Sequence, residues 1–282
     1  MQQTRAPAST WSKWCTIGNT PVHYLDMDRA DSGLNLLIVH GYLGSTVPFL
    51  DLVERLSPDL RVVMPDLPAF GASEAPGCSC TMEYYLEFLN RFAQTAGLDR
   101  FNLMGTSMGA NIAAHYTAEH AEQVRGLIFL SPFGLRNQAG KMSKIKRWEA
   151  LLPLASSLVT RRTVRRHLRG SILQDERITP ELVDACWKPF ATPSGRRATV
   201  EIMRNIVGGC SMDEVLPSIE HSVLILIGSE DKLLCAGDYE KYSQLLAREQ
   251  LEIIEASGHF LYLDSPDVVS QKIVTFTRGG TE

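Results

Sequence analysis

The sequence predicts an α/β fold: a mostly parallel central sheet flanked by helices, with a helical segment inserted late in the chain. Three observations predict it. Near-continuous apolar runs of strand length recur at Leu34–Val39, Leu60–Pro65, Phe101–Gly105, Gly126–Ser131 and Ser222–Gly228, the pattern of strands buried on both faces. Segments with helical spacing separate the first of these. Between Arg136 and Val207 the strand-like runs stop, and amphipathic helical segments replace them.

In chain order, Trp14 to Gly18 and Thr20 to Met27 read as two strands joined at Gly18-Asn19, either a hairpin turn or a simple loop. The run from Leu34 ends in His40-Gly41-Tyr42-Leu43-Gly44. Pro48 to Leu56 carries helical spacing, and the strand ending at Pro65 enters a loop of turn formers, Asp66-Leu-Pro-Ala-Phe-Gly-Ala-Ser73. Thr81 to Gly97 reads as a helix with Thr81 as its N-cap and Gly97 at its stop. Four further helical segments follow at Lys141–Leu158, Arg161–Leu173, Pro180–Phe190 and Arg196–Ile206. A block of roughly 70 residues is too long for one crossover. Residues 136–207 are therefore expected to form a cap over the C-terminal edge of the sheet, where open α/β sheets bind ligands. Residues 1–135 and 208–282 are expected to form the core domain. The last strand is expected at Leu251–Glu255 and the last helix near Pro266.

Composition narrows the function. A net charge of −4 over 282 residues makes no general case for nucleic acid as a partner. The cysteines at 15, 78, 80, 186, 210 and 235 show no metal spacing, and Cys78 and Cys80 are badly placed to bridge each other. Reduced thiols, a cytoplasmic location, no metal and no cofactor are expected. Met1 to Lys13 has no apolar run suited to a signal peptide or a membrane span, and is expected to be a frayed end. Charge is unevenly placed: residues 136–207 hold 15 Lys+Arg against 6 Asp+Glu, so the segment is +9 and the remainder −13. In Arg161-Arg-Thr-Val-Arg-Arg-His-Leu-Arg169, Val164, Leu168 and Ile172 share one helical face and the arginines spread round the other. A solvated face is the ordinary reading of such a run. The sharper one is weak contact with an anionic membrane surface or attraction of acidic substrates.

The chemistry centres on Gly105-Thr-Ser-Met-Gly109, a G-x-S-x-G turn between a strand and a helix. A serine at the apex of so sharp a turn sits in a strained conformation, and the positions two before and two after it are crowded. Gly105 and Gly109 occupy them. Ser107 is then exposed as a nucleophile, with the Met108 amide at a helix N-terminus, where unpaired N–H groups favour negative charge. The Tyr42 amide, after His40-Gly41, is the expected second donor of an oxyanion hole. Asp231 follows a strand end in Gly228-Ser-Glu-Asp231, and His259 follows the last strand in Gly258-His259. The order Ser107, Asp231, His259 suits a triad in which the imidazole takes the serine proton and the carboxylate fixes the imidazole. Glu230 is the rival acid. His23, His115, His120, His167 and His221 lack this setting and read as structural or surface residues. Asp66 reads as an organiser of its loop.

With these pieces in place, the sequence resembles the α/β-hydrolase superfamily over about Leu36 to Phe276, and specifically its capped carboxylesterase and monoacylglycerol lipase branch. Ala69 stands where the family more often has glycine, a departure expected to matter little. The resemblance implies hydrolysis of small esters with an apolar acyl or alcohol part through an acyl-enzyme on Ser107. It also admits C–C bond hydrolases of vinylogous diketones and thioesterases, which would use the same triad. A catalytically silent binding protein is the alternative of another class, but such a protein has no physical need for serine, aspartate and histidine together. Neither the physiological substrate nor the oligomeric state follows from the residues.

Overall fold

The computed structural model describes residues 10–28, 33–136, 138, 151–234 and 236–279. Eight strands form one sheet in the order β1-β2-β4-β3-β5-β6-β7-β8. They are β1 (Ser12–Ile17), β2 (Thr20–Met27), β3 (Asn35–Val39), β4 (Arg61–Pro65), β5 (Phe101–Thr106), β6 (Val124–Leu130), β7 (Val223–Gly228) and β8 (Glu249–Ile254). Only β2 runs against its neighbours, and every pair from β4 through β3 to β8 is parallel. The first two strands form a two-residue hairpin: Ile17 faces Thr20, and Gly18 takes φ +61°, which glycine adopts without a Cβ clash.

Helices fill the crossovers: α1 (Leu50–Leu56), α2 (Met82–Thr95), α3 (Met108–Glu119), α4 (Leu152–Ser157), α5 (Arg161–Leu168), α6 (Pro180–Trp187), α7 (Pro193–Ile202), α8 (Ala236–Leu245), α9 (Leu261–Asp264) and α10 (Pro266–Gly279). Alternation along the strands divides the core in two. Leu37, Val39, Leu103, Phe129 and Ile225 pack on one face with α2 and α3. Leu36, Ile38, Met104, Ile128 and Leu224 pack on the other with α1, α9 and α10.

The helices between β6 and β7 straddle these two faces. Val164 and Leu168 of α5, Ile172, Ile178, and Leu182, Val183 and Cys186 of α6 join the second cluster. Ala198 and Ile202 of α7, with Ile206 and Val207, join the first. Three of these helices open on a threonine cap: Thr160, Thr179 and Thr192 accept from the amides of Thr163, Leu182 and Gly195.

Several expected boundaries move. Most of the segment expected from Lys141 to Leu158 lies outside the described residues, and α4 is its visible end. Helix α5 stops at Leu168 instead of reaching Leu173, because the chain turns at Gly170 and the amides of Leu173 and Gln174 go to the Asp264 carboxylate. Helix α6 yields at Trp187 to a 3₁₀ turn containing Pro189. Helix α7 begins at Pro193, not Arg196, and Met203–Val207 continues it as a π-helical turn. Ala69 is also of more consequence than expected. It sits at φ +78°, a conformation costing a residue with a Cβ on the order of 1 kcal/mol.

Candidate active site

All five non-glycine residues with left-handed backbone among those described follow the C-terminal end of a strand: Leu43 after β3, Ala69 after β4, Ser107 after β5, Ser131 after β6 and Ala256 after β8. Backbone strain concentrated on one edge of a sheet is the mark of a functional edge.

Ser107 has φ 51° and ψ −122°, between the end of β5 and the start of α3 at Met108. Its amide donates to the Leu130 carbonyl at 3.0 Å, and its own carbonyl accepts from the Phe133 amide at 3.2 Å. The two expected glycines are sterically required. A Cβ on Gly105 would lie 2.4 Å from the Gly109 carbonyl oxygen, and one on Gly109 would lie 2.2 Å from that of Val39. Gly41 packs directly on the serine, since a Cβ there would be 3.0 Å from the Ser107 Cβ. The amides of Tyr42 and Met108 therefore belong to the two backbone segments bordering Ser107. Neither donates a hydrogen bond among the described residues.

Asp231 and His259 come together two strands away. The His259 Nδ1 lies 2.8 Å from the Asp231 Oδ2, and both residues are buried. A carboxylate only accepts, so Nδ1 carries the proton and Nε2 is the basic nitrogen. The Asp231 Oδ1 accepts from the Leu233 and Leu234 amides at 2.8 and 3.4 Å. Burial alone would raise the pKa of Asp231, but the hydrogen bond and charge of His259, with the Leu233 amide, hold it below the ordinary carboxylate value. The neighbouring Glu230 is exposed and has no part in this pair.

Beneath the Gly41 turn lies a buried polar floor. His40 approaches the Gly41 carbonyl through Nδ1 at 2.8 Å and accepts the Leu67 amide at Nε2 at 2.9 Å. Those two bonds fit a neutral ring only, and burial pushes its pKa down. Asp66 accepts from the Thr46 amide at 2.6 Å and the Ala72 amide at 2.8 Å, and pairs with His23 at 2.8 Å. It organises its loop as expected, and His23 is its structural partner. His115 bonds the Asn111 carbonyl, His120 packs on Tyr116, and His221 bonds the Ala121 carbonyl. Among the described residues no group of histidine, cysteine and carboxylate side chains is arranged to hold a metal, and no helix is long and apolar enough to cross a membrane.

Two residues were not singled out by their sequence setting. Asp264, buried in α9, accepts the Gly258 amide at 2.9 Å through Oδ2 and the Leu173 amide at 3.0 Å through Oδ1, tying the histidine loop to the helical block. The only cue was a carboxylate five residues after His259. His167 of α5 feels the charge of His259: its pKa is lowered, first by lost hydration and then by that charge. The residue as a whole is exposed. Nothing in the arginine-rich run distinguished it.

The sequence profile of the α/β hydrolase fold family matches residues 35–266. The chain belongs to the α/β-hydrolase fold family. Relatives within this family differ in what their names say they do. A monoacylglycerol lipase of Xenopus laevis is 24% identical, over 90% of this chain and 78% of its own. A 2-hydroxy-6-oxo-2,4-heptadienoate hydrolase of Pseudomonas putida is 22% identical, over 83% and 85%. Among solved α/β-hydrolase structures, a bacterial membrane phospholipase A superposes with a TM-score of 0.79 at 24% identity, covering 95% of this chain and 86% of the other. A haloalkane dehalogenase of Bradyrhizobium elkanii superposes with a TM-score of 0.80 at 21% identity, covering 95% and 98%. At these identities the structural likenesses establish the fold.

Proposed function

We propose that this α/β hydrolase is a serine hydrolase that cleaves carboxylic esters with an apolar acyl or alcohol part. The observation that carries the proposal is the His259–Asp231 pair, buried at the same strained sheet edge as a serine held at φ 51°. In this reading His259 Nε2 removes the Ser107 proton as Oγ attacks the ester carbonyl. The amides of Tyr42 and Met108 receive the developing oxyanion, the latter helped by the dipole at the start of α3. His259 then returns the proton to the departing alcohol. Water, deprotonated by the same nitrogen, releases the acid from Ser107. Asp231, ionised and fixed by the Leu233 amide, holds the tautomer and stabilises the imidazolium. Tyr42, Leu43 and Phe133 are partly buried apolar side chains on the segments bordering Ser107, which supports an apolar substrate part. Residues 136–207 act as the cap.

An activated fluorophosphonate should label Ser107, and Ser107→Ala should abolish labelling and leave less than about a thousandth of ester turnover. Asp231→Asn should lower turnover by orders of magnitude while Glu230→Gln has little effect. Turnover retained in Ser107→Ala rejects the nucleophile. A second reading is favoured by the likeness to the heptadienoate hydrolase. Preferential cleavage of ring-fission diketones over monoacyl esters and thioesters, in one panel, would replace the ester reading with C–C bond hydrolysis.

A further inference from the structure

Helix α4 is amphipathic the wrong way round. Leu151, Leu154 and Leu158 fall on one helical stripe and are 48%, 63% and 69% exposed, while the residue turned to the interior is Ser156. With Leu173, at 44%, they make up half of the eight exposed large apolar side chains among the described residues. The other four, Trp14, Leu233, Ile253 and Val268, are scattered over the core domain. Clustered exposed apolar side chains mark an interaction surface, whereas isolated ones need no explanation.

The neighbouring helix supplies the charge. Residues 151–169 contain five arginines and no acidic residue. Arg161 is engaged, paired with Asp184 and stacked 3.9 Å over the Trp187 ring, and Arg169 pairs with Asp175. Arg162, Arg165 and Arg166 make no ion pair among the described residues, while Val164 and Leu168 turn inward. The corner between the two helices is fixed, because the Trp187 indole donates to the Val159 carbonyl at 3.0 Å. A leucine stripe and an unpaired arginine face thus follow one another on a single anchored stretch of the surface.

We infer that this stretch docks on an anionic lipid bilayer, with Leu151, Leu154 and Leu158 entering the interface and Arg162, Arg165 and Arg166 meeting the headgroups. Apolar insertion and electrostatic attraction are each weak alone, and together give stable but reversible attachment. An acidic protein partner would match the arginines and leave the leucines unexplained. A purely apolar partner would leave the three cations unexplained.

The test is sedimentation of the full chain with vesicles of phosphatidylcholine alone or mixed with phosphatidylglycerol, at low and high salt. It reads binding, so its result is independent of the ester reading. The chain should bind the mixed vesicles at low salt and be released by high salt. Each arginine contributes up to about fivefold, so Arg162→Gln, Arg165→Gln and Arg166→Gln combined should weaken binding by up to about a hundredfold. Leu154→Ser with Leu158→Ser should weaken it at least about tenfold with every arginine in place. Far-UV circular dichroism and a denaturation midpoint like that of the unmodified chain should certify that both variants fold. Equal binding to both vesicle types, or to neither, overturns the inference. So does an unaltered affinity in the leucine variant. Self-association at working concentration that the leucine changes abolish would assign the stripe to a second copy of the chain instead.

Discussion

The helical block has two halves, and each holds a different part of the proposed catalytic machinery. The half containing α5 and α6 is fastened to the loop of His259. Asp264 gathers the Gly258, Leu173 and Gln174 amides, the Gln174 side chain donates to the Asp264 carbonyl, and the Phe260 amide reaches the Ser171 carbonyl. The half containing α7 is fastened to the opposite side. The Tyr42 hydroxyl donates to the Thr199 carbonyl, and Cys80 is held by Glu201 and Asn205. The first junction is built round a buried carboxylate whose acceptors no neutral side chain reproduces. The second uses one hydroxyl, the part-exposed Glu201 carboxylate and the Asn205 amide beside the apolar packing of Ile202 and Ile206, and it ends in a π-helical turn, a feature that often marks functional sites. We read the first half as a fixed extension of the histidine loop, and the second, which ends in the π-helical turn, as the half that adjusts to substrate.

The largest expected effect breaks the first junction. Asparagine at 264 keeps one acceptor oxygen and turns an NH₂ toward amides that also donate. Asp264→Asn should cost about 2–4 kcal/mol of stability, since hydrogen bonds to a buried charged group are lost and donors are left unpaired. Displacing the His259 loop should also slow fluorophosphonate labelling of Ser107 by about 10- to 100-fold at temperatures where the variant is folded. A lowered denaturation midpoint with labelling at the wild-type rate would make Asp264 a structural residue only.

The same contrast explains what was legible in the sequence. The sheet was readable because each strand is a short apolar run whose two faces are both buried, and the elbow because Gly105 and Gly109 face backbone oxygens at distances no side chain allows. Chain order brought out Asp231 and His259, and the structure pairs them. Within the helical block the inward faces were readable from spacing, as Val164, Leu168 and Ile172 show. The helix ends were less so. Helix α7 starts at Pro193 because Thr192 caps it ahead of the regular spacing that begins at Arg196, and α5 stops early because a carboxylate 91 residues beyond Leu173 captures that residue's amide. Long-range capture leaves no local pattern, which is why the role of Asp264 is not legible in the sequence.

A smaller effect concerns the buried polar site of His40. Because His40 accepts the Leu67 amide at Nε2, adding a proton there breaks that bond inside a dry site. Its pKa is lowered on folding, so the unfolded chain binds the extra proton more readily. The resulting stability is complete above the unfolded value, about 6.5, and is lost as pH falls toward the folded value. Unfolding free energies from denaturant titrations between pH 7.5 and 5 should fall with acid by up to about 1.4 kcal/mol per pH unit. His40→Gln should flatten that slope. An unchanged slope in the variant would place the acid sensitivity elsewhere.

The smallest expected effect tests the second junction. Tyr42→Phe removes the hydroxyl that reaches Thr199 but leaves the Tyr42 backbone amide, the proposed oxyanion donor, in place. The Thr199 carbonyl keeps the Met203 amide as a helical partner, so it is not stranded without a donor. The loss should therefore be that of one ordinary hydrogen bond, about 0.5–1.5 kcal/mol, and kcat/KM should fall by no more than about tenfold. If the second half adjusts to substrate, the change should appear in KM for long apolar esters before it appears in kcat for short ones. Comparing kcat and KM across an ester chain-length series in both variants decides the matter. If Tyr42→Phe slows labelling of Ser107 as much as Asp264→Asn does, the two halves are held alike and the proposed asymmetry of the cap is wrong.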